Sequence, residues 1–351
     1  MKNFCYVKLN DVCELITDGT HQTPTYSDNG YIFLSSKNVT NGIIDWENIK
    51  YIPEELHKKL YERISPKIGD ILLAKNGTTG IAALVDKNII FDIYVSLALL
   101  RPKKNILPEY LLWAINNPYT KRKFQASLKG IGVPNLHLSY IKKTEIKFYD
   151  MPQQIYISNL MKKCKRIIDL KKQQLSELDK LVKFQFLKMF GDPILNEKNW
   201  KICYLNNISE NLDAERIPIT AKNRNKGKIP YYGASGIIDY VENYIFNENL
   251  LLISEDGANL LTRVLPIAFS VTGKIWVNNH AHVLRFYNSY TQTYIEYLLN
   301  MMDISNYITG TAQPKLNQAK LNEILIPFPP IELQNKFAEF VKQVDKSKVI
   351  F

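Results

Sequence analysis

Residues 152–190 read PQQIYISNLMKKCKRIIDLKKQQLSELDKLVKFQFLKMF. The stretch has no glycine, and its one proline, Pro152, stands at the opening, where a helix tolerates it. Met161, Cys164, Ile168, Lys171, Leu175, Leu178, Val182, Gln185 and Met189 follow an unbroken 3-4-3-4 spacing, and seven of the nine are apolar. That pattern predicts a coiled-coil seam. As one helix the stretch spans roughly 58 Å at about 1.5 Å per residue. Gly191-Asp192-Pro193 ends it. Nine Lys/Arg against three acids give it a charge of +6. A solvated helix face explains that charge, and a rod beside a phosphate backbone or an acidic partner is the alternative.

On either side lie two segments of mixed, β-rich texture. In the first, Val39–Ile44, Asp70–Ala74, Ile81–Val85 and Ser96–Leu100 are short apolar runs between turn residues and predict strands. Pro108–Asn116 and Tyr119–Ser127 predict helices. In the second, Ile229–Tyr232, Leu250–Ile253, Val264–Phe269, Ile275–Val277 and Val283–Phe286 predict strands, and Thr293–Met302 a helix. A further helical stretch, 331–351, closes the sequence.

The two segments repeat each other at an offset near 180 residues. Gly130, Pro134 and Leu136 match Gly310, Pro314 and Leu316. Ile141, Ile146, Phe148 and Gln154 match Leu321, Ile326, Phe328 and Gln334, and Ile157, Leu160, Met161 and Cys164 match Phe337, Phe340, Val341 and Val344. Ile71-Leu72-Leu73 before Asn76-Gly77 matches Leu251-Leu252-Ile253 before Asp256-Gly257. Glu109-Tyr110-Leu111-Leu112 recurs as Glu296-Tyr297-Leu298-Leu299, and Val7-Lys8-Leu9-Asn10 loosely as Cys203-Tyr204-Leu205-Asn206. The loops between share almost nothing. The expectation is an α+β chain of two similar mixed α/β domains, 1–150 and 197–330. Long helices, 151–196 and a shorter 331–351, separate them and form an antiparallel coiled coil with pseudo-two-fold symmetry. Two different loop surfaces held apart by helices suit the reading of two half-sites on a duplex.

Composition sets the outer bounds. A chain of 351 residues, 46% apolar and 23% charged, has enough length for two cores and is not disordered. No apolar run approaches the ~18 residues of a membrane helix, and the N-terminus has no signal-peptide block, so a cytoplasmic protein away from membranes is expected. The net charge of +11 favours a polyanionic partner. Cys5, Cys13, Cys164 and Cys203 are scattered, which fits neither a zinc site nor a disulfide framework.

A search for catalytic motifs finds little. Asn116-Asn117-Pro118-Tyr119 is similar to the amino-methyltransferase tetrad but has Asn at its second position and sits at a helix end. Gly130-Ile131-Gly132 lacks the third glycine and the preceding strand of a nucleotide loop, and no phosphate-binding GxxxxGK[ST] occurs. His280-Ala281-His282 offers half a metal site without a third ligand in the sequence, so strand packing or a base contact is preferred. No catalytic residue and no metal site are assigned.

The layout resembles the specificity subunit (HsdS) of type I restriction-modification systems. Thr17-Asp18-Gly19-Thr20-His21-Gln22-Thr23-Pro24, followed by Phe33-Leu34-Ser35-Ser36-Lys37-Asn38-Val39, is similar to a common opening of that family's target-recognition domains. Gly69-Asp70-Ile71-Leu72-Leu73 looks like their central strand. Pro152-Gln153-Gln154 and Ile331-Glu332-Leu333-Gln334 look like the start of their helices, and Phe190-Gly191-Asp192-Pro193 like the end of the central one. One departure is plain: Phe351 aligns with Lys171, so counterparts of residues 172–190 are missing. Truncation and completion by a partner's helix both remain open, as do an unfinished interface and a disordered tail at Val349-Ile350-Phe351.

The resemblance implies a chain without catalysis or cofactor of its own. S-adenosylmethionine, ATP and Mg belong on partner subunits. The partners are double-stranded DNA and methyltransferase (modification) subunits, two of them, with a restriction subunit left open. A protein-interaction scaffold without DNA specificity is the alternative. Base reading needs polar side chains on loops. The candidates in the first domain are Thr20, His21, Thr23, Ser36, Lys37, Asn38, Lys75, Asn76, Thr78 and Thr79. In the second they are Lys226, Tyr231, Tyr232, Ser235, Asn259, Lys274, Asn278, Asn279, His280 and Gln313. The run Lys222, Arg224, Lys226 and Lys228 suits phosphates.

Overall fold

The computed structural model describes residues 4–40, 42–77, 79–128, 135–310 and 312–349. Readings that fell on Thr78, on 130–134 and on 350–351 lie outside these. The chain divides into two compact units, Met1–Asp169 and Leu170–Phe351.

In the first unit the central sheet is antiparallel. Its order is β2 (Cys13–Asp18), β8 (Leu97–Pro102), β5 (Ile71–Ala74), β6 (Ala82–Leu84). A separate pair joins β1 (Cys5–Lys8) to β9 (Glu145–Phe148). A second sheet runs β4 (Lys50–Ile52), β3 (Tyr31–Leu34), β7 (Phe91–Ile93), with β3 and β7 parallel. The longer helices are α1 (Glu54–Arg63), α2 (Pro108–Asn116), α3 (Pro118–Ser127) and α4 (Met151–Phe190), whose second half belongs to the second unit.

The second unit repeats this plan. Its central sheet runs β11 (Glu210–Asn211), β18 (Ala281–Arg285), β15 (Leu250–Ser254), β16 (Ala268–Val271). The separate pair is β10 (Lys201–Tyr204) with β19 (Leu325–Phe328). The second sheet is β13 (Gly236–Val241), β12 (Lys226–Gly233), β17 (Lys274–Val277), β14 (Phe246–Asn247), and β12 runs parallel to β17 as β3 does to β7. Helices α5 (Ser289–Met301) and α6 (Ile331–Val349) follow.

The middle strand of each unit reads as an unbroken apolar run because both faces are buried. Ile71 and Leu73 pack with Tyr110, Leu111 and Ile115 of α2, while Leu72 and Ala74 pack with Phe91 and Ile93 of the second sheet. Leu251 and Ile253 meet α5, and Leu250 and Leu252 meet Ile275 and Val277, in the same alternation. Each unit is thus three layers, helix on sheet on sheet.

Hydrogen bonds fix the correspondence between units. Tyr110 Oη donates to Lys147 O at 2.6 Å, and Tyr294 Oη to Pro327 O at 2.5 Å. Asn116 clasps the backbone of Ala82, and Asn300 that of Ala268. Gln154 and Gln334, both fully buried, donate to Tyr149 O and Pro329 O. The twin of Tyr110 is therefore Tyr294 and not Tyr297. The match of Glu109–Leu112 to Glu296–Leu299 is corrected by one helical turn, the shift most easily made between two amphipathic helices.

Two further expectations change. In the second unit α6 runs antiparallel along the end of α4, with Phe337 against Phe186 and Phe190 and Lys348 Nζ on Asp179 at 2.9 Å. The buried row of α4 there is Val182, Phe186 and Phe190 at four-residue spacing, while Gln185 and Met189 are only half-buried. Seam members Leu178, Val182 and Met189 pack in or against this cluster, and the rings of Phe186 and Phe190, which the seam did not include, add the largest buried side chains. Strand β16 starts at Ala268, and Val264 and Leu265 before it are exposed in a loop that Asn259 closes onto Leu265.

Candidate nucleic-acid interface

Lys75, Asn76 and Thr79 follow β5 and Asn259 follows β15, whereas Lys226, Tyr231 and Tyr232 lie in β12 and Lys274 opens β17. The loop after each of β5 and β15 is anchored by a buried polar node. In the first unit β2 ends at Asp18, whose carboxylate meets Lys75 Nζ and His21 Nε2, the latter at 3.4 Å. Lys75 is the first residue after β5 and is 5% exposed. It is therefore a strut beneath the loop, not a reading group.

The second unit builds the same node with the sign of one member reversed. Asp213 follows β11 and takes the place of Asp18, Arg216 that of His21, and Glu255 that of Lys75. Asp213 accepts from His282 Nδ1 at 2.5 Å and from Val283 N at 2.8 Å. Arg216 Nη1 donates to Glu255 at 2.7 Å and to Ala281 O at 2.7 Å. Lys315 Nζ lies 3.2 Å from Glu255. His282 Nε2 meets Leu316 O at 2.7 Å, so both ring nitrogens face acceptors, an arrangement that two N–H groups fill. Burial pushes the Asp213 carboxyl up, but His282, the Val283 amide and Arg216 outweigh it and hold the group below the usual carboxylate range.

Asp213, Glu255 and His282 have the donor types of a metal site and lie together. Arg216 already bonds the acids and brings the positive charge a cation would supply. The two imidazoles of His280-Ala281-His282 do not converge. His282 is buried on Asp213, and exposed His280 takes Asp256 at 2.7 Å.

The remaining candidates separate by exposure. His21, Thr23, Lys37, Lys226, Ser235, Lys274, Asn279, His280 and Gln313 are exposed. Thr20, Ser36, Asn76, Thr79, Tyr232 and Asn259 are half-buried. Asn38, Tyr231 and Asn278 join Lys75 as buried groups with internal partners. Asn38 bonds Asp45 O and Asn48 O, Tyr231 Oη the backbone of Ile219, and Asn278 the amide of His280. These four shape loops and do not present an edge to a base. In the basic run, Lys222, Lys226 and Lys228 are exposed, but Arg224 is held by Asp239 at 3.1 Å and lies over the Tyr231 ring.

Sequence reasoning missed Asp18, Asp213, Arg216 and Glu255 as a set. The signal was present: an Asp with a basic residue three positions on, and a charged residue directly after the apolar middle strand, in both halves. It missed His57 as well, which is buried between Tyr31, stacked at 3.7 Å, and Asp92 at 2.7 Å.

The model of the type I restriction modification DNA specificity domain matches residues 1–180 and again 197–350. The chain belongs to that family. A Haemophilus influenzae protein named as a type I restriction enzyme specificity subunit is 36% identical over 150 residues, 43% of this chain and 37% of that relative's length. A Methanocaldococcus jannaschii protein, named as the MjaX specificity subunit, is 21% identical over 96% of this chain and 86% of its own length. The crystal structure of a type I S subunit from M. genitalium superposes with a TM-score of 0.57 at 16% identity, covering 99% of this chain and 90% of that one. As a type I specificity subunit the chain is a non-catalytic member of its system. No helix among the described residues is long and apolar enough to cross a membrane.

Proposed function

We propose that this specificity subunit reads a bipartite DNA sequence, one half per domain. In this reading 1–150 and 197–330 are the target-recognition domains, and the helices 151–196 and 331–351 dock two methyltransferase subunits. One observation carries the proposal: the two units share a core down to single hydrogen bonds, yet differ in second sheet and loops. Where the first unit follows β4 with α1, the second follows β13 with the short strand β14, and its hairpin β12–β13 carries exposed Lys226, Lys228 and Tyr240. A common scaffold with divergent polar rims is the pattern of two readers with different targets. Methyl donor, ATP and Mg are held by partner subunits, and the complex works in the cytoplasm where the DNA lies.

The exposed set His21, Thr23, Lys37, Lys226, Ser235, Lys274, Asn279, His280 and Gln313 supplies the base and phosphate contacts. The test is selection from randomised duplexes by this chain co-expressed with its methyltransferase subunit, before and after exchange of residues 1–150. A two-part motif of which only one half changes supports the reading. Change in both halves or in neither refutes it. Tight complex formation with no enriched sequence points to a protein scaffold.

A further inference from the structure

A guanidinium holds the equivalent backbone carbonyl in both units, but the arginine comes from a different place in each. In the second unit Arg216, three residues past Asp213, turns back on its own loop. Its Nε donates to Asp213 O at 3.0 Å and its Nη1 to Ala281 O at 2.7 Å. In the first unit His21 stands three residues past Asp18, and its side chain is 69% exposed. The Asp18 carbonyl is taken instead by Arg63, the last residue of α1. Arg63 Nη2 donates to Asp18 O at 2.5 Å and to Gly19 O at 2.8 Å.

One donor group on two consecutive carbonyls fixes the direction in which the chain leaves β2. The next residue is fixed too. Thr20 N–H donates to Ile93 O at 3.1 Å, and Thr20 O accepts from Val95 N–H at 2.9 Å. Exposed His21 and Thr23 follow directly, so the backbone at 18–20 decides where they point.

Helix α1 is itself tied to the sheet by its one buried residue. His57 stacks on Tyr31 of β3, and its Nδ1 lies 2.7 Å from Asp92 Oδ2 of β7. Asp92 is buried, and its Oδ1 has no partner among the described residues, so His57 is the group that satisfies this carboxyl. The second unit follows β13 with the short strand β14 and has no helix in the place of α1.

We propose that Arg63 is a positioning residue for the reading loop of the first unit. Held through His57, it sets specificity at the base positions that His21 and Thr23 read, without touching a base itself. Carrying the clamp on α1 leaves the third loop position, which Arg216 fills in the second unit, free for a reading side chain. The specificity part rests on the DNA reading proposed above; the holding of the loop does not. An arginine beside a duplex could instead contact a phosphate, but that role needs only the charge, whereas the clamp needs the planar, forked donor.

The test uses the chain complexed with its methyltransferase subunit, the selected duplex, and duplexes with one base pair changed in either half. Arg63→Ala and Arg63→Lys should each lose about tenfold in discrimination within the half read by the first unit. Discrimination in the other half and the salt slope should stay as in wild type. His57→Phe, which keeps the ring stack but not the tie to Asp92, should lose discrimination in the same half. Hydrogen exchange supplies a readout without DNA: the Thr20 and Val95 amides should exchange at least tenfold faster in both Arg63 variants, and those of 71–74 unchanged. Wild-type discrimination in Arg63→Lys overturns the positioning role. So does an even loss across all sequences in Arg63→Ala with the salt slope reduced by about 0.9, the mark of a phosphate contact. Unchanged exchange at Thr20 and Val95 overturns the clamp whatever the DNA result. If the wild-type complex enriches no two-part sequence, the DNA reading fails and takes the specificity part with it, while the exchange rates still decide whether Arg63 holds the loop.

Discussion

Truncating Phe337 to Ala tests the contact of α6 with the end of α4 against the equivalent position in the first unit, Ile157. Phe337 is fully buried and its ring meets those of Phe186, Phe190 and Tyr297 at 5.3–5.4 Å. Removing a buried Phe costs about 3–5 kcal/mol through lost transfer energy and the cavity left behind. Three ring contacts place it toward the upper end, since aromatic pairs add about 0.5–1.5 kcal/mol each beyond burial. Ile157→Ala at the equivalent position removes a side chain that is only half-buried. It should cost about 1 kcal/mol, below the usual range for a buried aliphatic residue. Urea unfolding followed by the emission of variants that keep one tryptophan each, Trp113 or Trp200, separates the two. Trp200 Nε1 donates to Phe190 O at 2.8 Å, so its signal follows the second unit. With an m-value of about 2 kcal/mol per M, Phe337→Ala lowers that unit's midpoint by about 2 M, and Ile157→Ala lowers the first unit's by about 0.5 M. Equal losses would refute the difference in packing between buried Phe337 and half-buried Ile157.

Other outcomes follow from the nodes and the rim. Asp213→Ala strands His282, Arg216 and the Val283 amide, and should destabilise the second unit by about 3–5 kcal/mol in thermal or urea melts. Because the folded Asp213 carboxyl lies below its ordinary value, its contribution is fully present above about pH 4. It is lost as pH falls through the depressed folded value, so the wild type should lose stability on acidification more steeply than Asp213→Asn. Gly19→Ala should loosen the junction of β2 with the second sheet, since a Cβ there would lie 1.9 Å from Ile93 O; a melting point within a degree of wild type would count against that contact. Lys226→Ala should weaken DNA binding evenly across sequences and reduce the salt slope by about 0.9, measured by titration at several salt concentrations.

The long helix, the middle strands and the twofold repetition were legible because each depends on local periodicity or on like residues at fixed offset. Helix 108–116 and the run at 250–253 sit where their patterns place them. Strands β3, β4 and β7 were not legible, because three or four residues paired to distant partners carry no period of their own. Helix α1, EELHKKLYER, is mostly polar, with His57 its one buried residue, so its pattern is faint. The nodes escaped for a different reason. Lys75 and Glu255 look like ordinary polar loop residues until the strand register sets them against Asp18 and beside Arg216. For the same reason Lys75, Asn38, Tyr231 and Asn278 passed as surface readers: side-chain type does not say which way a turn residue points.

The reversed sign at one member of the node, Lys75 against Glu255, bears on which hybrids of the two units could fold. A chain that joined the opening of one unit to the remainder of the other would set Glu255 near Asp18 without Arg216, or Lys75 near Arg216 without Glu255, and leave each buried node with its charges unequal. Hybrids with breakpoints inside a domain should therefore fail to accumulate, while breakpoints within the helical connectors keep every acid with its own base. Exchange between such chains would then move whole domains, and tolerated variation within a domain would be confined to its rim.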